Sequence, residues 1–294
     1  MRRRLRVATR GSPLARRQAE TVVARLGVDA ELVVVTTTGD RDQRADLHSI
    51  GGTGVFVKEV QEAVLDGRAD LAVHSAKDLP SATPEGLVLA AVPERADPRD
   101  ALVGHALDDL PTGAWVGTGA VRRRAQLAAA RPDLLFGPLR GNVQTRLDKA
   151  ERYDAVVVAV AALHRLGLTG RVAQVLDPSI VLPQVGQGAL AVECRVDDAD
   201  AARRLAAIDD VVAHDAVRAE RAFLASVGGG CDLPVGALAT RGRGVWRVDG
   251  VLATLDGRIV LRTRREGARV DGLGEALASA LLDDCGGRAL LEDG

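Results

Sequence analysis

Aromatic side chains are scarce in this sequence: one Tyr, two Trp and three Phe among 294 residues, or 2%. Surfaces on which nucleobases stack need such rings. A formal net charge of −1 offers no basic field to attract a phosphate backbone, so no nucleic-acid partner is expected. Long hydrophobic runs are lacking too. None approaches the roughly 20 residues that cross a bilayer, and no membrane partner is expected. The basic start, MRRRLRVATRGS, is not followed by the apolar segment of about 7–15 residues that marks a secretory leader, which points to the cytoplasm. Cys194, Cys231 and Cys285 are few, odd in number and far apart, which argues against a disulfide framework. No Cys/His cluster has metal-ligand spacing. Lysine is the last shortage: Lys58, Lys77 and Lys149 are three among 39 basic residues. Genomic base composition accounts for most of that bias. Arginine is nonetheless the better residue for gripping carboxylates bidentately.

What is present reads as a globular chain of more than one domain, 47% hydrophobic and 27% charged. Strand and helix alternate in the first hundred residues. LRVAT (5–9) is a strand, and Arg10-Gly11-Ser12-Pro13 turns into a helix, with Ser12 as N-cap and Pro13 at the first helical position. Gly27 stops that helix. ELVVVTT (31–37), DLAVHS (70–75) and VLAAV (88–92) are strands, with a helix over 55–66 after the glycine-rich GGTG (51–54). A proline- and charge-rich stretch from Pro93 to Asp100 reads as a crossover. A second unit follows: strand 114–117, helix 120–130, strand 134–139, helix 142–151 and strand 155–160. LPQVGQGALAVECR (182–195) is a loop and a buried strand that can return to the first sheet. From about Val211 a helix reaches Val227, then GGGC, then antiparallel strands with Asp-Gly turns and a closing helix. The fold class is α/β: two similar α/β domains with mainly parallel sheets, and a smaller C-terminal α+β domain.

Open α/β sheets bind ligands beyond the C-terminal ends of their strands, near helix N-termini. Three such junctions carry arginine. Arg10 and Ser12 are either a cap beside a surface arginine or an anion site. GTGAVRRR (117–124) half matches a dinucleotide fingerprint, but Arg122 stands at its last glycine position and Asp133 comes too early for the ribose. Arg122, Arg123 and Arg124 at a helix start, where the dipole disfavours cations, suit an anionic ligand better than a solvated face. LRGNVQTR (139–146) repeats the arrangement with Arg140 and Arg146. Together they suggest a ligand with several carboxylates or phosphates in an interdomain cleft. HSAKDLP (74–80) puts Lys77 and Asp78 at a strand end. They form either an exposed ion pair on a turn or a carboxylate that moves protons and stabilises a cation.

The strings TRGSPLARRQA, VFVKE, AVHSAKDLPS, PRDALV, GTGAVRRRAQL, LRGNVQTRLDK, LPQVGQGALAVECR and GGGCDLPVGA, in this order, resemble the porphobilinogen deaminase (hydroxymethylbilane synthase) family from about residue 5 to residue 240. The resemblance implies head-to-tail condensation of four porphobilinogen molecules with release of ammonia, giving 1-hydroxymethylbilane. It implies a dipyrromethane cofactor on a cysteine thioether, matched here by Cys231. Catalysis falls to Asp78, which would stabilise the cation left when ammonia departs. Ser75, Lys77, Asp78, Thr118, Arg122 and Arg123 fall to the cofactor; Arg10, Ser12, Gln18, Arg140, Arg146 and Gln187 fall to the substrate and growing chain. The family's fold has two domains like periplasmic binding proteins and a third carrying the cysteine loop. This places domain 1 at 1–92 and 186–207, domain 2 at 93–185 and domain 3 at 208–294. The family is usually monomeric.

Three positions depart from the family pattern: Thr53 where lysine is common, and Gly119 and Ala120 where hydroxyl side chains are common. Backbone amides at 119 and 120 could compensate. A solute-binding protein of the same fold, a cysteine-nucleophile hydrolase and a poorly active family member are the competing readings. The first does not require Cys231 behind three glycines, and the second needs a histidine oriented towards that cysteine. Gly228–Gly230 read as a tether that lets an anchored chain shift as it grows.

Overall fold

The computed structural model describes residues 4–41, 54, 56–229 and 233–292. Cys231 and Thr53 therefore lie outside the described residues. The chain divides into two compact units, Met1–Ala96 with Gly188–His214, and Asp97–Gln187 with Asp215–Gly294.

In the first unit, β1 (Leu5–Arg10) runs into α1 (Pro13–Leu26), followed by β2 (Ala30–Val35) and the single turn α2 (Thr38–Arg41). Helix α3 (Lys58–Leu65), β3 (Leu71–Ser75) and β4 (Leu87–Ala91) follow. Ser12 Oγ accepts the Ala15 amide, and Gly27, at φ 61°, closes α1. Both caps stand where the sequence placed them.

The second unit begins with β5 (Asp100–Gly104), β6 (Trp115–Gly117), α4 (Val121–Ala130), β7 (Leu135–Gly137) and α5 (Val143–Asp148). It continues with β8 (Ala155–Ala159), α6 (Val160–Arg165) and β9 (Val172–Val175). Strand β10 (Leu190–Arg195) and α7 (Ala199–Ala206) then belong to the first unit. Helix α8 (Val211–Val227) leads to a meander of β11 (Val235–Gly242), β12 (Val245–Ala253) and β13 (Val260–Gly267), and α9 (Leu273–Ser279), a π-turn (Ala280–Asp284) and α10 (Gly287–Glu292) complete the chain.

The two five-stranded sheets have orders β2-β1-β3-β10-β4 and β7-β6-β8-β5-β9. Each is mainly parallel, as expected, with four of its five strands running one way and one reversed. β1 pairs in parallel with β2 and β3, while β10 is antiparallel to β3 and β4. The second sheet repeats this: β6 is parallel to β7 and β8, and β5 antiparallel to β8 and β9. The cause is topological. β10 and β5 are the first strands after the chain passes from one unit to the other, and each enters its sheet against the grain. The stretch expected as a crossover, up to Asp100, runs into β5, a strand that opens on an aspartate two residues after Pro98. The return of 190–195 to the first sheet is as anticipated.

Apolar cores line both faces of each sheet. In the first, Leu71 and Val73 pack with Val22 and Leu205 on one side, while Ala72 packs with Val60 and Val64 on the other. The third sheet packs against Phe223 of α8 and Leu277 of α9. Its Asp256-Gly257 dipeptide forms a turn, with Gly257 at φ 74°. Asp249-Gly250 stays inside β12, where a Cβ at Gly250 would lie 2.8 Å from Leu277 Cδ2.

Candidate active site

The first unit places Arg10 at the end of β1 and Ser75 at the end of the adjoining parallel strand β3. Gln18, buried on α1, donates its amide to Ser75 Oγ at 2.7 Å. Immediately after Ser75 the chain makes a 3-10 turn, Ala76–Asp78, with Lys77 and Asp78 half-buried. The Ala76 amide donates to Ala189 O at 3.1 Å, tying this turn to the residue before β10. Below it, His74 Nε2 lies 3.2 Å from Glu193 Oε2, and Gln61 of α3 donates to the same oxygen at 2.9 Å. All three side chains are buried.

Phe56 is a residue the sequence reading passed over. The Arg10 guanidinium stacks on its ring, 4.2 Å from the centroid, a cation–π arrangement that orients the charge. A Cβ at Gly39 would strike that ring. An aromatic residue in a chain with so few was the available signal.

In the second unit Thr118, Arg122 and Arg123 follow β6, with Ala120 at the N-cap of α4. Arg122 and Arg123 are not a solvated face, each being 4% exposed, whereas Arg124 is exposed. Arg122 Nη2 donates to Asp100 Oδ2 at 2.8 Å, and Arg123 Nη2 donates to Asp100 Oδ1 at 2.6 Å. The anion that faces this helix start is thus the protein's own. Burial alone would raise the Asp100 carboxyl. The charges of Arg123 and Arg122, with their hydrogen bonds, hold it well below the usual carboxylate range instead. Gln187, fully buried, donates to Asp100 Oδ1 at 2.8 Å and to Pro98 O at 2.7 Å. One carboxylate therefore brings together three of the expected binding residues.

The junction after β7 is built differently. Gly141 has φ 112°, and Asn142 Oδ1 caps α5 by accepting the Thr145 amide at 2.9 Å. Arg146 Nε donates to Gly141 O at 2.9 Å, and Lys149 Nζ donates to Arg140 O at 3.1 Å. Arg140 and Arg146 are half-buried.

Two departures acquire physical reasons. A side chain at Gly119 would put its Cβ 2.7 Å from Leu139 O, so the local backbone leaves no room for one. The Ala120 amide donates to Thr118 Oγ1 at 3.2 Å and so already has a partner. Cys194, buried in β10, has its thiol pushed up by burial and by Asp198, which suppresses the reactive thiolate. Before Cys231, Gly228 at φ 72° ends α8: its amide donates to Ala225 O, and the Gly229 amide donates to Leu224 O. This is a Schellman cap. The first glycine of the run therefore stops a helix, and Gly230 lies outside the described residues.

Comparison with known proteins fixes the family. Residues 5–203 match the model for "Porphobilinogen deaminase, dipyromethane cofactor binding domain", and 215–283 match the porphobilinogen deaminase C-terminal domain. The chain belongs to the porphobilinogen deaminase family. The porphobilinogen deaminase of Roseiflexus sp. (strain RS-1) is 49% identical over 303 residues, covering 99% of each chain. That of Pelobacter propionicus is 46% identical over 302 residues, covering 99% of this chain and 97% of its own. Among solved structures, an arginine-specific periplasmic binding protein of Salmonella typhimurium is a distant likeness. It is 16% identical with a TM-score of 0.38, over 74% of this chain and 97% of its own. Membership of the porphobilinogen deaminase family makes the chain a transferase of tetrapyrrole biosynthesis, acting on porphobilinogen with a dipyrromethane cofactor. The residues present fit that polycarboxylate. Asp100, Arg122 and Arg123 together carry one net positive charge, and Arg123 Nε is buried with no hydrogen-bond partner among the described residues.

Proposed function

We propose that the residues at these strand ends divide the family's reaction between them: Asp78 manages charge and protons at the reacting atoms, and the arginines bind carboxylates. The observation that carries this reading is the position of the Ser75–Asp78 turn. It leaves the C-terminal end of β3 beside the Arg10 end of β1, where α/β sheets present their ligands. Each porphobilinogen brings an acetate and a propionate, so a chain growing to four units gains two carboxylates per addition. Arg10, Ser12, Gln18, Arg140, Arg146 and Gln187 receive the substrate and that chain. Ser75, Lys77, Thr118, Arg122 and Arg123 hold the cofactor, with Cys231 as its thioether anchor. The bound dipyrromethane supplies the pyrrole carbon to which the first substrate joins. Asp78 is half-buried on a turn of few residues, and in this reading its carboxylate stabilises the cation left when ammonia departs.

We further propose a cytoplasmic monomer with three domains, one per sheet, divided at 92/93, 185/186 and 207/208. No helix among the described residues is long and apolar enough to cross a membrane, which agrees with that location. The deciding experiment is the intact mass of the protein from a porphyrin-making host. It is expected to exceed the sequence mass by one dipyrromethane, and Cys231→Ala is expected to abolish the increment. An active protein of unmodified mass sinks the assignment.

A further inference from the structure

Asp100, which gathers the binding residues of the second unit, has no role in the assignment above. It opens β5 opposite Ala159, the last residue of β8. It therefore stands at the C-terminal edge of the parallel strands, where ligands of such sheets lie. Its side chain is fully buried, and Arg122, Arg123 and Gln187 converge on its two oxygens at 2.6–2.8 Å. Two of these come from a helix and one from a loop remote in sequence. Left alone, two adjacent guanidiniums repel and long side chains wander. Paired to one carboxylate, they hold one geometry.

We propose that Asp100 is a positioning residue for cofactor capture: it fixes Arg122, Arg123 and Gln187 in a single arrangement, and so aims the arginine pair at dipyrromethane carboxylates without touching them. The proposal rests on reading Arg122 and Arg123 as cofactor ligands. Arg123 shows the consequence most directly. Nη1 donates to Val157 O at 3.0 Å and Nη2 to Asp100. The Nε edge is left buried and unpartnered among the described residues, a donor that a carboxylate would complete. Arg122 is clamped from its other side. A Cβ at Gly236 would lie 3.1 Å from Arg122 Cδ and 2.5 Å from Pro183 O. Gly236 belongs to β11, the strand that follows Cys231 in sequence. The arginine thus sits between the Asp100 carboxylate and the strand after the anchoring cysteine.

The test compares Asp100→Glu, Asp100→Asn, Arg123→Gln and Arg262→Met, each purified from a porphyrin-making host. Intact mass reads the fraction carrying dipyrromethane, and thermal melting reads the fold. Asp100→Asn leaves two buried guanidiniums without a counter-charge and can fail to fold. Asp100→Glu keeps the charge and displaces it, so that variant decides. Its loaded fraction is expected to fall about tenfold, the worth of one well-aligned charge-assisted hydrogen bond, in protein that still melts cooperatively. Arg262 donates to Gln126 Oε1, Ile180 O and Pro178 O, away from Asp100. Arg262→Met is expected to melt earlier with full loading, which shows that lowered stability alone does not empty the site. Full loading of Asp100→Glu while Arg123→Gln is empty overturns the proposal alone. Full loading of Arg123→Gln overturns the ligand reading and the proposal with it.

Discussion

The two five-stranded sheets share one strand order, one pattern of directions and even one irregularity. In each, the antiparallel strand shifts register against the outermost strand at its fourth residue, after Val192 in β10 and after Leu102 in β5. They differ in where the buried carboxylate sits. In β5 it is the first residue, Asp100, opposite the end of β8. In β10 the first residue is Leu190, opposite Ser75, and the carboxylate is the fourth, Glu193, opposite Ala72. The shift by three residues moves the charge from the rim of the sheet to its interior. A carboxylate at the rim can order side chains that face a ligand. One in the interior can only tie elements together, here β3 to α3 through His74 and Gln61. The same scaffold thus carries a buried carboxylate at its strand ends in one unit, and in the other an uncharged residue at that position with the half-buried Asp78 on the turn that leaves β3.

The sharpest way to break this division is to mutate one member from each side and read loading and turnover separately. Asp78→Asn keeps shape and removes charge. Turnover of porphobilinogen is expected to fall by about 10²–10⁴, the usual range for a positioned acid–base group, with the cofactor mass retained. Near-normal consumption removes Asp78 from its role.

Asp100→Asn has the next largest effect, and on stability. Removing one member of a buried ion cluster costs about 3–5 kcal/mol, measurable by urea unfolding. Its pH dependence has a definite sign. The folded Asp100 carboxyl lies below the ordinary value, so its stabilisation is present above the unfolded value of about 3.9 and lost as pH falls towards the folded one. The unsubstituted protein should therefore lose stability below about pH 4 with up to about 1.4 kcal/mol per pH unit more slope than Asp100→Asn. Equal acid limbs would remove the ion cluster from the account.

Much of this was legible in the sequence, for identifiable reasons. Ser12, Pro13 and Gly27 act within one turn, so α1 could be bounded by reading it. The ends of β1, β3 and β6 were visible because apolar runs stop there in Gly, Ser and Thr. Asp100 was not, because its partners stand some distance along the chain and nothing local distinguishes it from a turn aspartate. The arginine run calls for an anion, but nothing local in the sequence shows that the protein itself supplies one, Asp100, to Arg122 and Arg123. Gly119 looked like a lost hydroxyl until Leu139 O was found in the space a side chain needs.

A smaller effect sharpens the other half of the comparison. Glu193→Gln keeps two polar atoms near His74 and Gln61 and removes the charge. Disturbing one buried hydrogen-bonded group costs about 1–3 kcal/mol. The melting temperature should fall while the dipyrromethane increment stays complete. An empty Glu193→Gln protein would show that the interior carboxylate also governs the binding edge, and the contrast between the two sheets would fail.

The smallest effect separates two roles for one residue. Ser12 caps α1 through the Ala15 amide at 3.2 Å and is also assigned to substrate carboxylates. Ser12→Ala removes both functions and should cost about 1 kcal/mol of stability, without saying which matters to turnover. Ser12→Asp separates them. Aspartate caps a helix as well as serine does and suits the positive end of the dipole, so stability should be kept. A negative charge beside Arg10 should nonetheless repel a carboxylate ligand, raising KM for porphobilinogen several-fold at unchanged melting temperature. If KM stays put, Ser12 is a helix cap alone, and Arg10 receives its anion without help from the residue two places on.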